Sequence, residues 1–278
     1  METLYKLSGA GNDFIVLDGR SGGVDEYRKE VTIKTLCDRN TGFKAADGRV
    51  GADGVMILSS SDDGAWDFVM EYFNSDGSSG MMCGNGGRCI VAFADFLGIV
   101  PANGKFYEFL AADGPHTGEI LARKGHSCTV KLKMKDVSEY RRCTDGWFLD
   151  TGTRHFVKFV DDVQAVDIAT EGPRHRWSEE FAPIGANVNF VQVLPDGSLK
   201  VRTFEKGVED ETLACGTGIT ASALAAQLEA WHKDAGSGTT ARSIHTAVHA
   251  RIDELAVDFT PSGTIFTDVF LTGPAALI

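Results

Sequence analysis

Two short segments that each join a cysteine to a glycine-rich turn are the part of this chain best suited to chemistry. Residues 82–87 read MCGNGG and residues 214–219 read ACGTGI, and an apolar run of helix length follows each segment. The cysteines, Cys83 and Cys215, lie 132 residues apart, close to half of the 278-residue chain. The pattern predicts a duplicated fold that presents one thiol in each half.

A thiol at a helix N-terminus can act as a base, because the helix dipole lowers its pKa. The backbone N–H groups at the same position bind anions such as carboxylates. Gly84 and Asn85 occupy this position in the first copy, and Gly216 and Thr217 occupy it in the second. If both helix ends held one carboxylate, the sulfurs would flank the adjacent α-carbon. One thiolate would remove the α-proton while the opposite thiol protonates the other face, and the centre would invert without a cofactor.

The remaining four cysteines are interpreted as packing residues, the usual role of a free cysteine. They are Cys37, Cys89, Cys128 and Cys143. Cys-x-x-Cys pairs, the spacing typical of zinc sites, do not occur in the sequence, and we expect no metal.

The acidic composition of the chain limits the kinds of molecule that it is expected to bind. A formal net charge of −12 and a pI of about 5.0 argue against nucleic acid and anionic membranes. No stretch of the sequence approaches transmembrane length, and the first residues contain no apolar run behind a basic patch. We therefore expect a cytoplasmic protein with reduced thiols and a small-molecule substrate.

Periodicity predicts an α+β protein in which each half wraps a mostly antiparallel curled sheet or barrel around one central helix. The helices are predicted at residues 87–97 and 217–232, both apolar nearly all round, which is typical of buried helices. Strands are predicted at 68–73, 106–110, 129–135, 156–160, 188–193, 199–205, 249–252 and 255–259, with a turn at 261–263.

A second pair of similar segments supports the duplication. Residues 11–14 read GNDF and residues 152–155 read GTRH, each at the head of a predicted strand and 141 residues apart. The apolar pattern breaks at 136–145. We therefore predict one half from residues 1–138 with about 266–278, and a second half from 139–265.

Several further segments occur in one order along most of the chain: GAGNDF at 9–14, GADG at 51–54, FNSDGS at 73–78, MCGNGGRC at 82–89, NVNF at 187–190 and EDETLACGTG at 209–218. In these segments the chain resembles the diaminopimelate epimerase family, which are pyridoxal-independent enzymes of lysine and peptidoglycan synthesis. The resemblance implies two similar halves with the site in the cleft between them, no cofactor, and a homodimer as the expected assembly.

The resemblance also implies roles for individual residues. Cys83 and Cys215 would be the acid/base pair, with His155 close to the reaction and Glu205 supporting the reacting amine. The reacting carboxylate would be held by Gly84, Asn85, Gly216 and Thr217. Asn12, Asn74 and Asn187 match substrate-binding asparagines. A second interpretation of Asn74 stays open, because Asn before Ser-Asp-Gly is also typical of a turn.

Two departures from the family pattern lie where the far end of diaminopimelate would be held. The chain has Gly152-Thr153-Arg154-His155 where the family commonly has Gly-Asn-Pro-His, and Glu205-Lys206-Gly207 where it commonly has Glu-Arg-Gly. Lys206 keeps the charge but lacks the planar fork of arginine, and Thr153 can donate one hydrogen bond. Three hypotheses follow: diaminopimelate epimerisation, a related racemase of another amino acid such as histidine, and a thiol redox or ligand-binding protein with a switchable Cys83–Cys215 disulfide.

Overall fold

The chain forms two compact units. The computed structural model describes residues 2–233 and 242–278. One unit comprises the chain up to Leu132 together with Gly273–Ile278, and the other is Lys133–Thr272. The sequence prediction puts these boundaries at 138 and about 266.

The first unit is a closed barrel of eight strands. They are β1 (Tyr5–Gly9), β2 (Asn12–Asp18), β3 (Gly54–Ser59), β4 (Phe68–Asn74), β5 (Tyr107–Ala111), β6 (Gly114–Lys124), β7 (Ser127–Lys133) and the end of β16 (Ile265–Leu277). Successive strands pair antiparallel, apart from the parallel pairs β2–β3 and β4–β5. Because β16 pairs with both β7 and β1, the barrel has no open edge at this point.

One helix fills this barrel. α2 (Gly84–Phe96) is buried from Gly84 to Ala94 and contacts β1, β2, β3 and β6, while the short α1 (Glu30–Cys37) lies beside β3. Burial of Ile90, Val91 and Phe93 contributes about 1.5–3 kcal/mol each. The prediction of a central helix is confirmed, and the helix begins three residues earlier than predicted because its first turn is made of Gly84, Asn85 and Gly86.

The second unit repeats the architecture. Its strands are β8 (Tyr140–Cys143), β9 (Gly146–Asp150), β10 (Arg154–Phe159), β11 (Asn187–Val193), β12 (Leu199–Glu205), β13 (Asp210–Thr212), β14 (Ile244–His249), β15 (Glu254–Ser262) and the first part of β16. A bridge between Val137 and Phe266 returns the start of the unit to β16, so the sheet curls back on itself. The central helix is α4 (Gly216–Lys233), while α3 (Ile168–Arg176) packs against β11, β12 and β13.

The strand pairings show the duplication directly. β9 to β12 repeat the pattern of β1 to β4: an antiparallel pair, a parallel pair, then an antiparallel pair. A parallel pair follows in both units, β4–β5 and β12–β14. The central helix comes between the strands of that pair in each case. The predicted α+β class with two similar, mostly antiparallel halves is therefore confirmed.

Two local predictions are wrong. Residues 250–253 form a turn closed by the Ala250 N–H and the Asp253 carbonyl, and the strand predicted at 249–252 instead ends at His249. Pro261 and Ser262 belong to β15, because Pro261 pairs with Phe266, and the turn begins at Gly263 with φ of 62°. In both places the prediction misplaced a hairpin turn by a few residues, because the pairing of the two strands, and not local composition, fixes where each strand ends. None of the helices in the described ranges is long and apolar enough to cross a membrane.

Candidate active site

Cys83 caps the N-terminus of α2. Its backbone is extended (φ −109°, ψ 156°), its Sγ accepts a hydrogen bond from the Gly86 N–H at 3.3 Å, and its carbonyl accepts one from Gly87 at 2.8 Å. Cys83 is exposed. The first N–H groups of a helix have no partner within the helix, so they can stabilise a thiolate or bind an anion there.

A directional chain of side chains runs beside Cys83. Arg88 donates to Asn85 Oδ1 at 2.8 Å, Asn85 Nδ2 donates to Asn12 Oδ1 at 2.6 Å, and Asn12 Nδ2 donates to Asp53 Oδ2 at 2.8 Å. Arginine only donates and a carboxylate only accepts, so the two ends fix the direction of the whole chain. Both amides are thereby held in one orientation.

The ends of this chain are anchored in the barrel. Arg88 is fully buried and also donates to the carbonyls of Gly84 at 3.1 Å and Pro274 at 3.4 Å. Asp53 accepts from the Asp13 N–H at 3.0 Å and bonds Arg39. The sequence analysis quoted Arg88 and Asp53 within motifs but assigned them no role, because an isolated charge carries no signal of such a chain.

The buried carboxylate of Asp13 supports the same loop. It contacts Lys6 at 3.3 Å, Arg39 at 3.2 Å and Arg49 at 2.8 Å. Lys6 and Asp13 are both almost wholly buried, and a buried charge needs such partners. This ion cluster fixes the start of β2, which carries Asn12.

Asn74 ends β4 and closes a turn. Its backbone N–H donates to the Ser78 carbonyl at 2.9 Å, its Nδ2 donates to Ser78 Oγ at 3.0 Å, and its carbonyl accepts from the Gly77 N–H at 2.9 Å. These contacts are the ones expected if Asn74 is a turn residue. Because Gly54 lies between Asn74 and Phe14 in the sheet, the strand end is nevertheless close to the Asn12 loop, and a substrate contact by Asn74 stays a prediction.

Cys215 holds the same position before α4 that Cys83 holds before α2. Its carbonyl accepts from the Ile219 N–H at 2.8 Å, and its Sγ lies 3.4 Å from Thr217 Oγ1. The residue is partly exposed. Gly216 beside it is buried, and its carbonyl accepts from Thr220 Oγ1 at 3.0 Å. The two cysteines thus open the two buried helices, one in each unit.

His155 is fully buried in β10 and is held as a neutral donor. Its Nδ1 accepts from Asn189 Nδ2 at 3.0 Å, and the orientation of that amide is set because it also donates to the Phe156 carbonyl at 3.2 Å and accepts from Thr203 at 2.9 Å. The proton of the imidazole is therefore on Nε2. Burial lowers the pKa of His155 to about 3, against the opposing effect of Asp150.

The proton on His155 Nε2 faces two threonine hydroxyls. Nε2 is 2.9 Å from Thr217 Oγ1 and 2.9 Å from Thr153 Oγ1, and the two hydroxyl oxygens are 3.0 Å apart. Together with the contact from Thr217 to Cys215, these distances define the His155 cluster: Thr153, His155, Cys215 and Thr217. Four residues singled out from the sequence are thus brought together in the second unit.

Asn187 ties two strand ends to each other. Its Nδ2 donates to the Arg154 carbonyl at 3.0 Å, and its Oδ1 accepts from the Lys206 N–H at 2.8 Å. Glu205, the last residue of β12, is partly buried, and Lys206 beyond it is exposed. Asn187 therefore holds the two segments that depart from the family pattern next to each other.

The other four cysteines lie in environments that favour the thiol. Burial raises the pKa of Cys37 to about 11, of Cys89 and Cys143 to about 12, and of Cys128 above its usual value. They therefore stay protonated and do not serve as bases at neutral pH. Within residues 2–233 and 242–278, no group of three or more His, Cys, Asp or Glu side chains is arranged to hold a metal ion.

Comparison with known proteins gives the family. The family model for diaminopimelate epimerase matches residues 4–120 and 147–259. A diaminopimelate epimerase of Flavobacterium psychrophilum is 39% identical over 99% of this chain and 97% of the relative, and one of Chlorobaculum tepidum is 43% identical over 78% and 80%. The chain belongs to the diaminopimelate epimerase family.

Solved structures extend the likeness of fold beyond diaminopimelate epimerases. A Bacillus anthracis phenazine biosynthesis protein of the PhzF family has a TM-score of 0.70 at 11% identity, covering 99% of this chain and 96% of that one. A hydroxyproline epimerase from Agrobacterium vitis has a TM-score of 0.62 at 14% identity, covering 99% and 88%. At these identities the comparison shows a shared fold alone.

Two residues that differ from the diaminopimelate epimerase pattern, Thr153 and Arg154, contact neighbouring side chains in this structure. Thr153 is directed to His155 and Thr217, although the sequence analysis considered it for the far end of the substrate. The guanidinium of Arg154 lies 5.2 Å from the centre of the Phe148 ring, a cation–π contact. Their roles toward a substrate stay predictions.

Proposed function

We propose that this protein interconverts LL-2,6-diaminopimelate and meso-diaminopimelate, with Cys83 and Cys215 as the two acid/base residues. The observation that carries the proposal is the equivalent position of both sulfurs, each at the N-terminus of the buried helix of its repeat. Membership of the diaminopimelate epimerase family supports the reaction and the substrate.

The proposed chemistry needs only groups of this chain. The N–H groups that open α2 and α4 would bind the carboxylate of the reacting centre, which favours charge build-up on that carboxylate when the α-proton leaves. One cysteine, as thiolate, would take the α-proton, and the other, as thiol, would give its proton to the opposite face. After one turnover the two cysteines have exchanged protonation states, so the reverse reaction starts from the product form.

The neighbouring groups would support these steps. Neutral His155 donates a hydrogen bond from Nε2, and Glu205 would hold the amine at the reacting carbon. Arg88 and Asp53 fix the orientation of the Asn12 and Asn85 amides. The remaining hydrogen-bonding positions of these amides would bind polar groups of the substrate. Both cysteines must stay reduced for this chemistry, which fits the expected cytoplasmic location. The expected homodimer would be tested by analytical sedimentation.

The test of the reaction is isotope exchange. The protein is incubated in deuterated water with LL-diaminopimelate, meso-diaminopimelate, histidine and other amino acids separately, and deuterium at the α-carbon is followed by mass spectrometry. We expect exchange with the diaminopimelate isomers, with early product deuterated while recovered substrate still carries its original hydrogen. Exchange with histidine alone would refute the substrate and favour the racemase hypothesis.

Serine substitutions test the two-base assignment. Cys83→Ser and Cys215→Ser should each lower epimerisation by at least about 100-fold, since a positioned acid or base contributes about 100- to 10,000-fold. Cys128→Ser is the matched control and should keep the wild-type rate, because Cys128 lies on β7 and its thiol stays protonated. A Cys83 or Cys215 variant that epimerises at the wild-type rate would contradict the two-base mechanism. It would favour the hypothesis of a thiol redox or ligand-binding protein.

A further inference from the structure

The hydroxyl of Thr153 contacts two other side chains of the His155 cluster. It lies within hydrogen-bond distance of both His155 Nε2, at 2.9 Å, and Thr217 Oγ1, at 3.0 Å. Thr217 Oγ1 in turn lies 2.9 Å from His155 Nε2 and 3.4 Å from Cys215 Sγ. Three donors therefore share one small cluster that ends at the sulfur.

Counting protons gives one arrangement in which the cluster directs a proton to the sulfur. His155 offers one proton at Nε2, because its Nδ1 is occupied as an acceptor by Asn189. Each threonine hydroxyl offers one proton and two lone pairs. When His155 and Thr153 both donate to Thr217 Oγ1, its lone pairs are filled. The remaining proton of Thr217 then has the sulfur of Cys215 as its acceptor within the cluster.

We infer that Thr153 is a positioning residue that directs the Thr217 hydroxyl toward Cys215 Sγ and so favours the ionised sulfur. The inference rests on the proposed function in one respect, the use of Cys215 as a base. A hydrogen bond donated to a charged group stabilises the charged form more than the neutral one. Thr153 thus acts on the reacting end of the site, through Thr217.

The surroundings keep Thr217 in place for this role. Thr151 Oγ1 donates to the Thr217 carbonyl at 2.9 Å, which fixes its backbone independently of the hydroxyl. The charged group that acts on His155 is Asp150, at the end of β9, and its Oδ1 accepts from the Gly152 N–H at 2.9 Å. Replacement of Thr153 leaves these contacts intact, and because Thr153 is exposed, the unit should fold normally.

The experiment measures the ionised fraction of Cys215 without any substrate. Full-length wild type, Thr153→Val and Thr153→Ser are treated with iodoacetamide at pH 7, and alkylation of the Cys215 peptide is followed by mass spectrometry. The Cys83 peptide of the same sample is the internal reference, since Cys83 lies in the other unit. Thr153→Val should slow alkylation of Cys215 about two- to fivefold, and Thr153→Ser should restore the wild-type rate.

A double-mutant cycle separates positioning from a general change in access. Thr217→Val should also slow alkylation of Cys215, and adding Thr153→Val to it should cause no further loss, because Thr153 acts through the Thr217 hydroxyl. Additive effects, an unchanged rate in Thr153→Val, or equal changes at Cys83 and Cys215 would each overturn the inference.

The outcome is independent of the test of the proposed function. If no amino acid exchanges its α-hydrogen, the proposed function fails, while slower alkylation of Cys215 in Thr153→Val still supports the hydrogen-bond cluster. If the isotope exchange occurs as expected but Thr153→Val alkylates at the wild-type rate, only the role of Thr153 is refuted.

Discussion

His155 should make the protein less stable in acid by a calculable amount. In the folded protein its pKa is lowered from 6.5 to about 3, because the imidazole is fully buried, and the nearby Asp150 opposes this effect only in part. In the unfolded chain the same imidazole takes up a proton near its ordinary pKa. Below that pH the unfolded state binds more protons than the folded state, so stability falls as the pH falls.

The size of the effect follows from the two pKa values. At pH 8 the imidazole is neutral in both states and contributes no pH dependence. At pH 5 the unfolded imidazole is protonated over about 1.5 pH units, at about 1.4 kcal/mol per unit, while the folded one stays neutral. The free energy of unfolding should therefore fall by about 2 kcal/mol between pH 8 and pH 5 through His155 alone.

Urea unfolding of wild type and His155→Gln at both pH values isolates this contribution. The other histidines and carboxyl groups act in both proteins and cancel in the comparison. Glutamine at 155 costs stability at pH 8 but does not titrate, so the advantage of wild type over the variant should shrink by about 2 kcal/mol at pH 5. An advantage of equal size at both pH values would refute the buried neutral imidazole and, with it, the donor role of Nε2.

Two further substitutions test the buried contacts that support the site residues. Arg88→Met should lower the free energy of unfolding by about 3 kcal/mol or more, because it leaves three buried acceptors without a donor, at about 1–3 kcal/mol each. Arg20→Met, in an exposed pair, should cost less than about 1 kcal/mol. Similar urea midpoints for the two would contradict the anchoring role. Gly218→Ala should cost about 1–3 kcal/mol, since its Cβ would lie 2.4 Å from Asn189 Oδ1. Gly86→Ala, with 3.4 Å to the nearest atom, should cost nothing, and equal thermal shifts would refute the packing argument.

The sequence by itself was sufficient for the duplication, the class of fold and the family. Cys83 and Cys215 stand before runs that are apolar nearly all round, and such runs are typical of buried helices. Motifs of adjacent residues are local, so their order along the chain could be compared with that of a family. The start of α2 was predicted less well than that of α4, because a first turn that contains glycine resembles a loop.

Only the tertiary structure decided which side chains act on each other. Arg88 and Asp53 are ordinary charges in the sequence, yet in the barrel they fix the amides of Asn85 and Asn12 from opposite ends. Likewise, Thr153 lies 64 residues from Thr217, and no spacing rule predicts the hydrogen bond between them. Hydrogen bonds across strands depend on register and rotamer, which local composition does not encode. The sequence therefore determined which two cysteines precede the buried helices, and folding determined which side chains contact them.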